Sequence, residues 1–511
     1  MRASAWSVAL NGIEGVVIEV EAASGSGLPG TSLVGLPDKA LSEAKDRVKS
    51  AVTACGEAWP PQRLTVNLSP ANLPKTGSHY DMAIAVAVMG AEGGLPTGIF
   101  SRTVLFGELS LDGRVRNVRG VLPAMLAAVR AGFDRAIVPS AQCDEATLVP
   151  GITVWGAGRL EEVIQLLMGR PVPNPVESAP SSSLSPVETA PDVPDLAEVI
   201  GHEEGKFALE VAAAGRHHVF MSGQPGVGKT MLASRLPSIL PDLSMEESLE
   251  VTAIHSLAGH QISGLMQRPP YADPHHSATS VALLGGGSGE LKPGAISLAH
   301  RGVLFLDEAP DFGQKLDDLR TPLENGTIVI SRVRATALFP ARFQLILASN
   351  PCPCGNFGVA GVQCRCDSVR VRKYQERISG PILDRIDIRL HMLATKRLLL
   401  DVAGPAPEPS AVVAQRVLEA RERQRRRLRE TPWLTNGEVA GPYLRRELPM
   451  PADVSVLNGA LDRGTLSLRG VDKVLRLAWT LADLAGQDQI GAQELRVAMR
   501  LRQGERLREA S

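Results

Sequence analysis

An eight-residue stretch, Gly223-Gln224-Pro225-Gly226-Val227-Gly228-Lys229-Thr230, has the spacing of a phosphate-binding loop. Gly226 and Gly228 let the backbone curl until its N–H groups face one point. In such a loop the lysine reaches the β- and γ-phosphates of ATP and the next hydroxyl holds Mg²⁺. Further along, the apolar run 302–306 ends in Asp307-Glu308. A buried parallel strand with two acids at its carboxyl end suits a ligand site. Asp307 is expected in the Mg²⁺ shell, and Glu308 as the base that orients and deprotonates the attacking water. Either motif alone could be a turn; together they point to a nucleotide hydrolase.

Other candidates carry alternatives. The segment 343–350 ends in Asn350, either a group that helps to place the same water or an ordinary turn residue. Arg385 lies in "LDRID", as an arginine finger or as part of an ion network with Asp384 and Asp387. Arg469 opens the helical pattern of 466–484, as a lid arginine or as a solvated side chain. Cys352, Cys354, Cys364 and Cys366 form two CxC pairs on one Gly-rich loop. They suit a tetrahedral Zn²⁺ site, or stand as four reduced thiols; an iron–sulfur cluster is the remaining option. His275-His276 are expected to shape their loop rather than bind a metal.

The elements that must hold these residues read as a helix at 204–214, a strand at 217–222 and a helix at 229–240 that stops at Pro241. Hydrophobic residues are 44% and charged residues 21% of 511, a globular composition. The net charge of −1 excludes a protein that coats nucleic acid by bulk charge, so any such contact is local. The first residues, with Asn11, Glu14 and Glu19, make a poor signal peptide. The apolar run 82–91 is too short to span a bilayer, so no membrane partner is expected. Six cysteines do not make a disulfide scaffold, and a cytoplasmic location fits. The Pro/Ser/Ala-rich stretch 170–195 reads as a disordered linker. It separates an N-terminal domain, 1–169, from an ATPase core, 196–398, and a helical region, 399–511.

The order of these pieces resembles the AAA+ ATPases, and within them the Mg-chelatase-like YifB/ComM family. The resemblance is carried by 271–300 between the glycine loop and the acidic strand, by the hairpin 323–351, and by "LDRID" and "LSLRG". It implies an α/β multidomain fold with a P-loop αβα core, a parallel sheet and a helical lid. It further implies ATP and Mg²⁺ as cofactors, a homo-oligomeric, hexameric ring, Arg385 as the finger and Arg469 as the lid arginine.

The stretches 67–90 and 107–139 resemble the proteolytic domain of Lon, an α+β fold that uses a Ser–Lys pair. Here the nucleophile position falls at His79, beside Ser78, and the lysine position at Leu122. A catalytically inactive domain is expected. Its presence also sets the chain apart from the ATPase subunit of Mg-chelatase, which resembles the second part only.

Three uses of ATP remain open. A ring motor would grip single-stranded or branched DNA through Arg332, Arg334 and Arg342 of the hairpin, or through the basic run 421–430. A chelatase-like or chaperone-type remodeller would act elsewhere, and an ATP-dependent protease lacks its dyad. The family resemblance implies branch migration or recombination on DNA.

Overall fold

The computed structural model describes residues 2–26, 28–35, 39–73, 75–95, 101–170, 176–178, 194–287, 291–332, 335–358, 362–393 and 407–506. The N-terminal region is built on a mixed eight-stranded sheet. Its order is 176–178, 153–157, 135–139, 103–105, 2–11, 14–25, 63–69 and 30–34. Along Glu14–Gly25 and Arg63–Ser69, alternate residues turn inward: Ile18, Val20 and Ala22, then Leu64, Val66 and Leu68. That period of two gives the sheet one apolar face. The helix Asp81–Ala91 lies in the same core with every residue buried, which explains why its apolar run has no polar face.

The second region is a five-stranded parallel sheet. Its order is Tyr271–Ala272, Val303–Leu306, Gln344–Ser349, Val219–Gly223 and Ile388–Met392. Its strands are apolar on both sides because both sides are covered. Val219, Met221, Phe305 and Ile346 belong to one core; Leu304, Leu306, Leu345 and Leu347 belong to another. The following helices collect around Leu468–Leu484, which packs on Ala492–Gln503, Ser410–Arg427 and Glu203–Gly215. Leu475, Ala478, Trp479 and Leu481 are buried, as is every other residue from Val474 to Asp483 except Arg476, so this part of the helix is central rather than amphipathic. Among the described residues no helix is long and apolar enough to cross a membrane.

Several expectations need correction. The helix expected over 229–240 is two short pieces, Lys229–Ala233 and Leu236–Ile239. Pro237 lacks an N–H and cannot continue the ladder of the first piece. Within the stretch expected to be disordered, Val176–Ser178 pairs antiparallel with Val154–Gly156 and extends the sheet edge. The rest of that expectation, 171–175 and 179–193, lies outside the described residues. Arg334 and the side chain of Arg332 also lie outside them, and Arg342 sits beyond the hairpin strand Ala335–Pro340 rather than at its tip. Half of the arginines in the basic run are committed inside the fold: Arg421, Arg423 and Arg427. Arg421 donates to the Ala213 carbonyl at 3.0 and 2.7 Å. Arg427 binds Asp483 at 2.6 Å and lies 4.3 Å over the Trp479 ring. Arg425, Arg426 and Arg429 stay exposed.

The two regions touch directly. The helix Met245–Ala258 packs on Val121–Arg130, and Ala253 is part of the N-terminal core. Buried Glu145 accepts the Leu122 N–H at 3.1 Å and the Ser256 hydroxyl from across the boundary. The turn at Gly12 lies against the Leu338 carbonyl of the hairpin, so close that a Cβ there would clash at 2.6 Å.

Candidate nucleotide site

Three neighbouring strands place the site. Val303–Leu306, Gln344–Ser349 and Val219–Gly223 lie side by side and parallel, so their carboxyl ends open at one edge. That edge is where ligands bind in open α/β sheets. Distant stretches of sequence thereby deliver Asp307-Glu308, Asn350 and the glycine loop to one place.

Gly226 and Gly228 have φ of 74° and 92°, the left-handed region that a side chain resists. Their curl brings the carbonyls of Gly223 and Gln224 to the Lys229 Nζ, at 2.8 and 2.9 Å. Asn350 Oδ1 accepts a third hydrogen bond from it at 3.1 Å. Burial pulls the Lys229 ammonium below the ordinary lysine value, against the opposing pull of Asp307 and Glu308. An ammonium so placed, partly stripped of water, is poised for an anion.

The Thr230 hydroxyl donates to Asp307 Oδ2 at 2.7 Å, and Asp307 Oδ1 accepts the Glu308 N–H at 2.8 Å. A hydroxyl and a carboxylate in contact are the hard oxygen donors that Mg²⁺ prefers. These residues fit the ion. It would neutralise phosphate charge there.

Glu308 has φ 51° and ψ 44°, a left-handed conformation that costs a non-glycine residue about 1 kcal/mol. It turns the carboxylate toward His276, whose Nδ1 is 3.0 Å from Oε2. Sequence reasoning missed this contact; nothing in the spacing of 276 and 308 announces it. Glu308 and Asn350 open onto a cleft of about 520 Å³, with Arg370, Lys373, Tyr374 and Arg377 on its other wall.

Arg385 and Arg469 do not join this group. They line a second cleft of about 580 Å³ with Arg216, Arg342, Lys473 and Arg476, and no residue of the glycine loop, Asp307, Glu308 or Asn350 lines it. The ion network expected with Asp384 and Asp387 is not formed by Arg385. Its guanidinium binds Glu324 and the Pro381 carbonyl instead. Asp387 is held by Lys473, whose Nζ donates to it at 2.7 Å and to the Arg385 carbonyl at 2.9 Å. Lys473 is one helical turn after Arg469, a spacing that could have suggested a shared face.

The four cysteine Sγ atoms lie within 4.8 Å of one another.

The family model described as "Magnesium chelatase, subunit ChlI" matches residues 195–398, and its C-terminal counterpart matches 407–502. Competence protein ComM of Haemophilus influenzae is 39% identical, over 95% of this chain and 94% of its own. YifB of Escherichia coli is 40% identical, over 97% and 96%.

The chain belongs to the YifB/ComM family of Mg-chelatase-like AAA+ ATPases.

Rv2897c of Mycobacterium tuberculosis is 50% identical over 98% of both chains. A model described as "Subunit ChlI of Mg-chelatase" also matches residues 18–142.

In that region the expected nucleophile position is turned inward. His79 packs between Tyr80 and Phe106, with ring centroids 4.1 and 4.6 Å away, and burial pushes its pKa down to about 4. Ser78 donates its hydroxyl to Glu108, and Leu122 is fully buried. Lys75, three residues from Ser78, is also buried, but its ammonium donates to the Pro70 carbonyl.

Proposed function

We propose that this ATPase is a subunit of a ring, hexameric in its family's manner, that turns ATP hydrolysis into movement on DNA in the cytoplasm. The observation that carries the ring is the separation of Arg385 and Arg469 from Lys229. Two arginines needed for γ-phosphate transfer in AAA+ enzymes line a cleft away from their own subunit's loop. A neighbouring subunit that presents its loop to this cleft completes both sites. Asp387 and Lys473 keep the arginine segment joined to the lid helix, so movement of one moves the other.

The residues divide the work. Lys229 and the loop amides hold the phosphates, and Thr230 and Asp307 hold Mg²⁺. Glu308 takes the proton of the attacking water once its carboxylate leaves His276. Asn350, bonded to Lys229 in this state, lies at the strand end where it can place that water. Arg385 and Arg469 act across the subunit boundary. The reading of DNA as substrate is supported by the likeness to a competence protein and by basic residues that remain on the surface, Arg425, Arg426 and Arg429 among them. Six copies would concentrate such residues around a pore despite the neutral monomer.

The test is ATPase rate with and without single-stranded and branched DNA, beside sizing with and without nucleotide. Stimulation by DNA and a nucleotide-stabilised ring are expected. A ring whose ATPase ignores DNA overturns the DNA reading in favour of a chelatase-like or chaperone-type remodeller.

A further inference from the structure

The four cysteines of the loop 352–366 belong to no step above. Their sulfurs stand 3.3 Å (Cys352–Cys354), 3.7 Å (Cys352–Cys364) and 3.5 Å (Cys354–Cys364) apart, and Cys366 completes a group in which no pair exceeds 4.8 Å. All four are free of disulfide bonds. In a regular tetrahedron with Zn–S bonds of about 2.3 Å, the sulfurs lie about 3.8 Å apart. The observed spacings match a single four-coordinate ion. An iron–sulfur cluster holds its thiolates around several irons and spreads them further.

The surroundings also suit thiolates. The Phe357 N–H points at Cys352 Sγ from 3.4 Å, and the Cys366 N–H at Cys364 Sγ from 3.5 Å. Backbone donors of this kind offset sulfur charge and orient the ligand. Gly355, at φ 79°, turns the chain between the sulfurs and the glycine loop. A Cβ on it would lie 2.5 Å from Pro225 Cδ.

We infer that Cys352, Cys354, Cys364 and Cys366 bind one Zn²⁺, which clasps the Asn350 strand end, the glycine loop and the far wall of the catalytic cleft together. The first ligand lies two residues after Asn350. Gly355 packs on Pro225 within the glycine loop. The last ligand precedes Asp367, whose carboxylate caps the helix Ser368–Gln375 at 2.8 Å. From that helix Gln375 donates to the Pro351 carbonyl at 3.0 Å, while Arg370, Lys373 and Tyr374 face Glu308 and Asn350 across the cleft. One ion thereby closes a ring of contacts around three sides of the site. Its effect on nucleotide rests on the ATP-site reading; its existence does not.

The full-length protein, purified in reductant without added metal, is analysed by elemental mass spectrometry. One zinc per chain is expected, reduced at least tenfold in Cys364→Ser and in Cys366→Ser. Replacement of the metal in wild-type protein by Co²⁺ should give the visible bands of a tetrahedral tetrathiolate, a reading that does not depend on how a variant folds. Wild-type protein that holds no zinc, takes up no Co²⁺ and exposes all four thiols to a thiol reagent overturns the site, as does stoichiometric iron. Removing the zinc should weaken binding of a fluorescent ATP analogue about tenfold, restored by Zn²⁺. Unchanged affinity overturns the clasp. Wild-type protein that binds zinc but no nucleotide sinks the ATP-site reading and leaves the metal site standing.

Discussion

Each region of this protein buries a lysine among motif residues, and the two lysines are used differently. At the nucleotide site Lys229 meets two loop carbonyls and Asn350, with Thr230 and Asp307 beside it and an open cleft at Glu308 and Asn350. In the N-terminal region Lys75 is wholly buried and its ammonium is held by the Pro70 carbonyl; Ser78 is paired with Glu108 and His79 is walled in by aromatic rings. A polar group can act on a substrate only if an opening reaches it and if its hydrogen bonds can be exchanged. The first cluster meets both conditions. The second is a set of closed contacts that stabilise a core, and there the carboxylate beside the serine replaces the neutral amine that a Ser–Lys pair requires.

The largest effect expected on this contrast is at Lys229. Lys229→Ala should abolish ATP binding, measured by equilibrium titration with a fluorescent nucleotide, because the phosphates lose their main charged partner. Binding within a few fold of wild type would remove the functional half of the comparison. Arg385→Ala should retain binding and lose about 10³-fold in turnover, the scale of an arginine finger. Mixed with Lys229→Ala protein, and with subunit exchange shown independently, it should regain part of the activity, since one mutant lends its loop and the other its arginine. A mixture as inactive as either mutant would mean that catalysis does not cross the boundary at Arg385.

Glu308→Gln should bind ATP normally and turn it over about 10²-fold more slowly, as expected for loss of a general base. Wild-type turnover in this variant would displace Glu308 from that role.

Acid should act on both regions alike. Burial pushes His79 in one and His217, His218 and His255 in the other down to about 4. Unfolded histidine titrates near about 6.5, so these rings stay neutral in the folded chain while the unfolded chain gains protons. Their contribution is complete above that value and is lost as the pH falls toward 4. Asp387 adds to the loss at lower pH. Burial alone would raise its pKa, but Lys473, His217 and His218 outweigh it and hold the group below the carboxylate range. The melting temperature should therefore fall steadily from pH 7 to pH 5. A flat profile would place these rings in water.

The smallest effect sharpens the other half. Ser78→Ala should leave ATPase rate and ring assembly unchanged, and neither it nor wild type should cleave an unfolded protein substrate. Cleavage by wild type that Ser78→Ala removes would make the N-terminal cluster a working site.

Sequence alone determined the parts whose geometry is local. The glycine loop needs only eight consecutive residues, because positive φ at Gly226 and Gly228 and the reach of one lysine define it. Asp307-Glu308 was legible because an apolar strand with acids at its end says which end faces a ligand. The apolar run 82–91 was legible as too short to span a bilayer, but that it forms a buried helix, Asp81–Ala91, came from the packing. Tertiary structure decided what depends on the packing of distant segments. It set the order of the parallel strands, which brings Asn350 to Lys229, and the turn that gives Glu308 to His276. It removed Arg385 and Arg469 to another cleft, used Arg421 and Arg427 as internal staples, and gathered four cysteines around one point. Spacing along a chain constrains neighbours within a few residues; which face a remote arginine or thiol finally meets depends on how whole elements bury their apolar sides.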